Sequence, residues 1–263
     1  MPLALAVCAE GAAPSPEVER RFFGKVCLPN GTWKTTYPDR LDDVNRKLLD
    51  LLPEGKELEL MDIAVSSGIS TIEWSDQLRA GSVPHRIVAG DIDPDGRLAS
   101  WAGWIAVLFD ESGQPLLFEV GPLTLSVYSS RRLIRFLRPL LIAVLRRFAR
   151  RSRSVPLVSR RLRQRPEIEV VRDDVTVPGH FTERFDAIRA ANLVQPAYFD
   201  GPTMRGIIEN LRDRLREGGL LLLCRTDGDG VNRATLFRRH GRHFSAETSL
   251  NGGSEVEDLV LTL

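Results

Sequence analysis

Residues 58–73 constrain the fold of this chain more than any other stretch. Residues 58–63 (LELMDI) form an apolar run of strand length. Ala64-Val65-Ser66-Ser67-Gly68 is a turn made of small residues. Residues 69–73 (ISTIE) open a helix that continues to about Ala80. Strand, tight turn and helix in this order begin a βαβ unit. Small side chains let the backbone pass close to a ligand, and the first N–H groups of the helix can hold one of its oxygens. The same residues also suit a strand–turn–helix with no ligand at all.

The segments that follow repeat the alternation. Residues 86–91 (RIVAGD) read as a buried strand that ends in an acid, with Ile92, Asp93 and Pro94 after it. A carboxylate at that place can accept from both hydroxyls of a ribose. Residues 167–172 (EIEVVR) read as the next strand, followed by Asp173 and Asp174. FDAIRAANL, from Phe185 to Leu193, reads as a fourth. Residues 203–216 place Ile207, Ile208, Leu211 and Leu215 on one helix face, and the helix is stopped by Gly218-Gly219. Residues 220–224 are a fully apolar strand of the parallel type. The last two strand-like pieces, residues 243–250 and 256–263, are joined by Asn251-Gly252-Gly253-Ser254 and read as a hairpin.

In order and spacing these segments resemble the class I S-adenosylmethionine-dependent methyltransferases, whose first motif is D-x-G-x-G-x-G. On this chain the acid falls on Asp62 and the glycines on Ala64, Ser66 and Gly68, so only the last glycine is kept. "GDIDP" is similar to the family's GxDxSP, FDAIRAANL to FDxIxxxNxL, and LREGGLLLLCR to LxPGGxLxxxx. The likeness covers about residues 40–94 and 167–263. It implies an α/β fold: a Rossmann-like, mostly parallel seven-stranded sheet with a C-terminal antiparallel hairpin and an insertion after the second strand. It also implies S-adenosyl-L-methionine as cofactor. Contacts to it would come from Asp62, Ala64, Ser66, Gly68, Asp91, Ile92, Asp174, Val175 and Asn192. The stretch Thr35, Thr36, Tyr37, Arg40 is faintly similar to a TxFFR-type segment of chemotaxis receptor methyltransferases, which adds Arg40. As a plain helix-start residue, Arg40 would instead pair with a nearby acid. Asn192, Tyr198 and His180 are the candidates for touching a small-molecule or lipid-like methyl acceptor. No nucleophile–base triad is visible, and methyl transfer needs none unless the acceptor must lose a proton.

Residues 95–166 fall outside the likeness and are too long for a simple crossover. Residues 104–110 and 115–121 read as a hairpin. Residues 131–165 hold 13 arginines, and no acid occurs between Glu119 and Glu167. On a helical wheel Arg131, Arg132, Arg135, Arg138, Arg146 and Arg150 share one side. Leu133, Ile134, Leu137, Leu140, Leu141, Val144, Leu145 and Phe148 fill the other. Pro139 kinks this helix or starts a second one. The helix either rests on the domain's own core, or lies on an anionic membrane through residues 131–150 or caps a site for an acidic substrate. The chain thus divides into an N-terminal arm, 1–20, expected to be mobile, and a domain, 21–263, whose insertion at 95–166 serves as lid or docking element.

Composition narrows the function classes. With 263 residues and a net charge of +1, nothing global points to nucleic acid. Cys8, Cys27 and Cys224 are odd in number and widely spaced, and the four histidines lack ligand spacing, so no disulfide framework or metal site is expected. A reducing, cytoplasmic setting follows, peripheral to the membrane if the Arg-rich helix binds there. The opening apolar run is short and lacks a preceding positive charge, so no signal peptide is expected. A different class is a non-catalytic binding or scaffold protein on a degenerate methyltransferase fold, suggested by the absent glycines at 64 and 66. A nicotinamide-dependent oxidoreductase is disfavoured, because the turn lacks GxGxxG spacing.

Overall fold

The computed structural model describes residues 1–8, 13–29, 31–34 and 37–263. Thr35 and Thr36, which the sequence singles out, lie outside the described residues. The chain divides into two compact units. The first comprises Met1–Tyr37, Ser66–Ile69 and Asp93–Gln164; the second comprises Pro38–Val65, Ser70–Ile92 and Arg165–Leu263.

In chain order the elements begin with three helices, α1 (Leu3–Cys8), α2 (Pro16–Phe23) and α3 (Asp42–Leu49). Then come β1 (Leu58–Ile63), α4 (Ile69–Ala80) and β2 (His85–Asp91). Five strands and a long helix belong to the insertion: β3 (Asp95–Trp101), β4 (Ile105–Asp110), β5 (Pro115–Val120), β6 (Leu123–Ser126), α5 (Arg132–Leu145) and β7 (Arg153–Pro156). A 3-10 helix (Arg146–Arg151) continues α5. The chain finishes with α6 (Arg160–Arg163), β8 (Ile168–Arg172), β9 (Phe185–Ala191), α7 (Gly201–Arg214), β10 (Leu215–Thr226), β11 (Asn232–His240), β12 (His243–Leu250) and α8 (Glu257–Leu261).

The first unit is built on an antiparallel five-stranded sheet in the order β6-β5-β4-β3-β7. Its strands alternate faces with period two. Leu98, Ala106 and Leu108 join Ala4, Val7, Phe22 and Phe23 on one face. Ala99, Val107 and Phe109 face the other way, toward Leu145. Within the stretch 1–20 expected as a mobile arm, α1 and the start of α2 contribute to this core. Their short apolar run is buried: the Ala4 N–H donates to Glu119 Oε2 at 2.8 Å, with Ala4 and Glu119 both 1% exposed. The hairpin expected at 104–121 is β4–β5. Strands β3, β6 and β7, which flank it, were not legible from pattern.

The second unit is a mostly parallel seven-stranded sheet in the order β12-β11-β10-β9-β1-β2-β8. Strands β8, β2, β1, β9 and β10 run parallel, and β11 is antiparallel to its neighbours. This is the Rossmann-like class with an antiparallel C-terminal hairpin. The hairpin lies one element earlier than the residues suggest. His240 pairs with His243 across a two-residue loop, Gly241-Arg242, with Gly241 at φ +59°. Glycine at the first loop position suits a primed turn. Residues 256–263 hold a short helix, α8, rather than a strand. Beneath α7 the core gathers Met61, Ile188, Ile207, Ile208, Leu211, Leu221 and Phe237. Among the described residues no helix is long and apolar enough to cross a membrane.

Candidate functional site at the carboxyl ends of the parallel strands

The strand order has a switch point at β1. From β1 the chain moves to β2 and β8 on one side, then crosses to β9 on the other side of β1. Ligands of open α/β sheets bind at such a switch point, outside the carboxyl ends of the strands. Ala64 follows β1 there, Asn192 follows β9, Asp91 closes β2, and Thr226 closes β10.

The turn after β1 has an unusual backbone. Ala64, Ser66 and Gly68 all adopt left-handed conformations, with φ +57°, +59° and +81°. These are the three positions that align with the motif's glycines. An L side chain in that region costs about 1–2 kcal/mol. Val65 N–H anchors the turn on Gly90 O at 3.2 Å. Ser66, Ser67 and Gly68 group with the first unit. There Ser67 O accepts from Ser159 N–H at 2.8 Å. A Cβ on Gly68 would lie 2.5 Å from Leu162 Cδ2, so Leu162 already fills that place.

Asp62 is 3% exposed and fully committed. Arg189, beside it on β9, donates Nε–H to Oδ1 at 2.9 Å and Nη2–H to Oδ2 at 2.6 Å. Thr71 Oγ1 donates to Oδ2 at 2.6 Å. Arg189 also donates to Asn45 Oδ1 at 2.7 Å and Ser70 O at 3.0 Å, and lies over the Trp74 ring at 4.5 Å. A buried pair survives only when its remaining polar atoms are matched, as they are here. Sequence reasoning missed Arg189, although an arginine inside the apolar strand FDAIRAA was the available signal.

Arg40 sits near this network. Its Nη1–H donates to Thr226 Oγ1 at 2.9 Å, and its carbonyl accepts from Asn232 Nδ2–H at 2.6 Å. Its Nε is buried with no hydrogen-bond partner among the described residues. Burial lowers the Arg40 pKa, so the cation is short of solvation. Burial also raises the Glu73 carboxyl, which accepts from the Asp39 N–H at 3.0 Å.

Asp91 is 6% exposed, and its carbonyl accepts from Asp173 N–H at 2.9 Å. Asp173 is paired with Arg214 at 2.6 Å, whereas Asp174 Oδ1 accepts from Thr176 N–H and Oγ1–H at 3.0 and 2.7 Å. Val175 is in the core and Ile92 is exposed. Asn192, at φ +58°, accepts from Thr226 N–H through Oδ1 at 2.7 Å and so ties the ends of β9 and β10. Tyr198 and His180 are both exposed.

No protein-family model matches the chain, and no curated protein matches it. Among solved structures the chain is similar to the PH0226 protein from Pyrococcus horikoshii OT3, at 12% identity over 89% of this chain and 85% of that one, with TM-score 0.41. It is similar to the CMeT domain of the citrinin polyketide synthase, at 16% identity over 80% and 39%, TM-score 0.40. It is also similar to the CurJ carbon methyltransferase, at 12% identity over 86% and 42%, TM-score 0.40. The chain spans 39% and 42% of the length of the last two.

Proposed function

We propose that the second unit binds S-adenosyl-L-methionine at the carboxyl ends of its parallel strands and that the chain is a methyltransferase acting on a small-molecule or lipid-like acceptor. The backbone of the β1–α4 turn carries this reading. Residues 64, 66 and 68 are all left-handed although alanine and serine stand at the first two. Backbone strain of this kind persists where the surroundings over-determine it, and it concentrates at ligand sites.

The residues present fit the cofactor. Arg40, a half-buried cation with an unpartnered Nε, suits a carboxylate. Asp91, at the end of β2, suits a ribose diol. Asp174 can accept from an exocyclic amine. When bound, the sulfonium supplies a methyl group that is already activated. Asp62 acts through Arg189, holding the strand ends in place, and does not touch the ligand. Asn192, Tyr198 and His180 contact the acceptor. The chain's task is to align that acceptor and exclude water.

Binding of radiolabelled S-adenosyl-L-methionine tests the reading. Asp91→Ala should weaken it about ten- to hundredfold, the worth of a charge-assisted hydrogen bond. Unchanged affinity in that variant would count heavily against it. One observation favours a second reading, a non-catalytic scaffold: Leu162 occupies the space beside Gly68. That reading requires folded protein with no measurable affinity for the cofactor.

A further inference from the structure

Helix α5 is amphipathic, and much of its apolar face has no cover. Ile134 and Leu145 turn inward, and Arg138 pins the same side by donating to Val127 O and Ser129 O, both at 3.2 Å. Leu133, Phe136, Leu137, Leu140 and Val144 are 70%, 81%, 37%, 64% and 44% exposed. At about 100° per residue these five fall on one stripe. Exposed arginines 132, 147 and 150 flank it on one side and exposed arginines 131, 135 and 146 lie further round the helix, with no acid between Glu119 and Glu167. The wheel read from sequence allowed this helix to rest on the domain's core, but only its inner edge does so.

The stripe continues at one end of the sheet. The Phe148 ring packs edge-on against Trp101, with centroids 4.5 Å apart. The β3–β4 turn that begins at Trp101 carries Trp104, 64% exposed. Tryptophan suits a boundary where one end of the side chain is apolar and the other wet.

We propose that α5 and its 3-10 extension dock this protein on an anionic lipid surface. The joint presence of two features selects that occupant. A cationic rim calls for negative charge, and an exposed leucine–phenylalanine stripe calls for an apolar layer directly beneath it. An acidic peptide or a nucleic acid would satisfy the arginines and leave Phe136 and Leu140 in water. A second copy of the same face would set arginine against arginine. The inference does not rest on the cofactor reading.

Co-sedimentation of the full chain with vesicles tests it. One set is phosphatidylcholine alone; the other is phosphatidylcholine mixed with phosphatidylglycerol. Binding to the anionic set should exceed the zwitterionic by about tenfold at low salt. It should fall steeply toward about 1 M salt, where screening is nearly complete. The exposed positions allow a folded double variant, Phe136→Ser with Leu140→Ser, verified by circular dichroism; it should lose most of the binding. Failure of the folded wild type to pellet with anionic vesicles at low salt overturns the proposal, as does full retention by the double variant. A light-scattering mass of a dimer that becomes monomeric in that variant, without vesicle binding by the wild type, assigns the face to a second copy instead. Retention of RNA or polyglutamate with equal affinity by the double variant, again without vesicle binding by the wild type, assigns it to a polyanion.

Discussion

Ala64 and Ser66 hold conformations that glycine adopts at no steric cost. Each therefore stores about 1 kcal/mol, partly offset in the unfolded chain, where glycine is freer. Ala64→Gly and Ser66→Gly should leave the melting temperature unchanged or raise it by up to about 4 °C. Ala64→Val should lower it by more than that, because a β-branched residue is an outlier at positive φ. Differential scanning calorimetry distinguishes these outcomes, and a loss of stability in both glycine variants would show that the turn is not strained. The Asp62–Arg189 pair makes a second test at this scale. Asp62→Ala leaves a guanidinium buried without its partner and should cost about 3–5 kcal/mol in urea unfolding. Replacing both partners with leucine should cost less than the single change. The position of the turn was legible in the residues, because small side chains cluster there. The commitment of Asp62 was not, because the partner that consumes it lies 127 residues away.

Elements were legible where a single periodicity governed them. Strands β1, β2, β8 and β9 and helices α4 and α7 fall where apolar pattern puts them. The C-terminal hairpin was displaced because Asn-Gly-Gly is a stronger turn signal than Gly-Arg. Yet Gly241 forms the hairpin loop, and Asn251-Gly252-Gly253 leads toward α8. Strand β7 was hidden because it is four residues long and ends in a proline, and β3 because it follows a proline and lacks a clean apolar alternation. Element-to-element fixation also predicts a pH dependence. Asp186, at the start of β9, accepts from Glu59 N–H on β1, from Lys56, and from Arg216 on β10. Burial pulls its carboxyl upward, but these donors outweigh burial and hold the pKa below its ordinary value. A depressed acid contributes stability that is present above its unfolded pKa of about 3.9 and is lost as pH falls through the folded value. Unfolding free energy should therefore drop below about pH 4 in the wild type. Asp186→Asn should be less stable at neutral pH and show a flatter acid limb. An identical acid limb in the variant would remove Asp186 from the account.

The whole chain departs most from expectation in its first unit. No local pattern announced that residues 1–8 and 13–29 share a core with the strands of the insertion, because those contacts span about a hundred residues. Removing residues 1–12 should therefore destabilise the protein by at least about 2 kcal/mol, the worth of the aliphatic surface it exposes. A truncated chain that melts like the full one would restore the mobile arm. The thiols are also a whole-chain probe. Burial pushes Cys8 and Cys224 up to about 12 and raises Cys27, so none supplies a thiolate at neutral pH. Native protein should resist iodoacetamide until it unfolds. The proposed seat of a sulfonium nucleoside is the carboxyl ends of the second unit's strands, and isothermal titration of S-adenosyl-L-methionine and S-adenosylhomocysteine decides it. Saturable binding of both at micromolar concentrations, weakened in Arg40→Met, is the predicted result. Folded wild-type protein that gives no binding heat with either at several temperatures would contradict it.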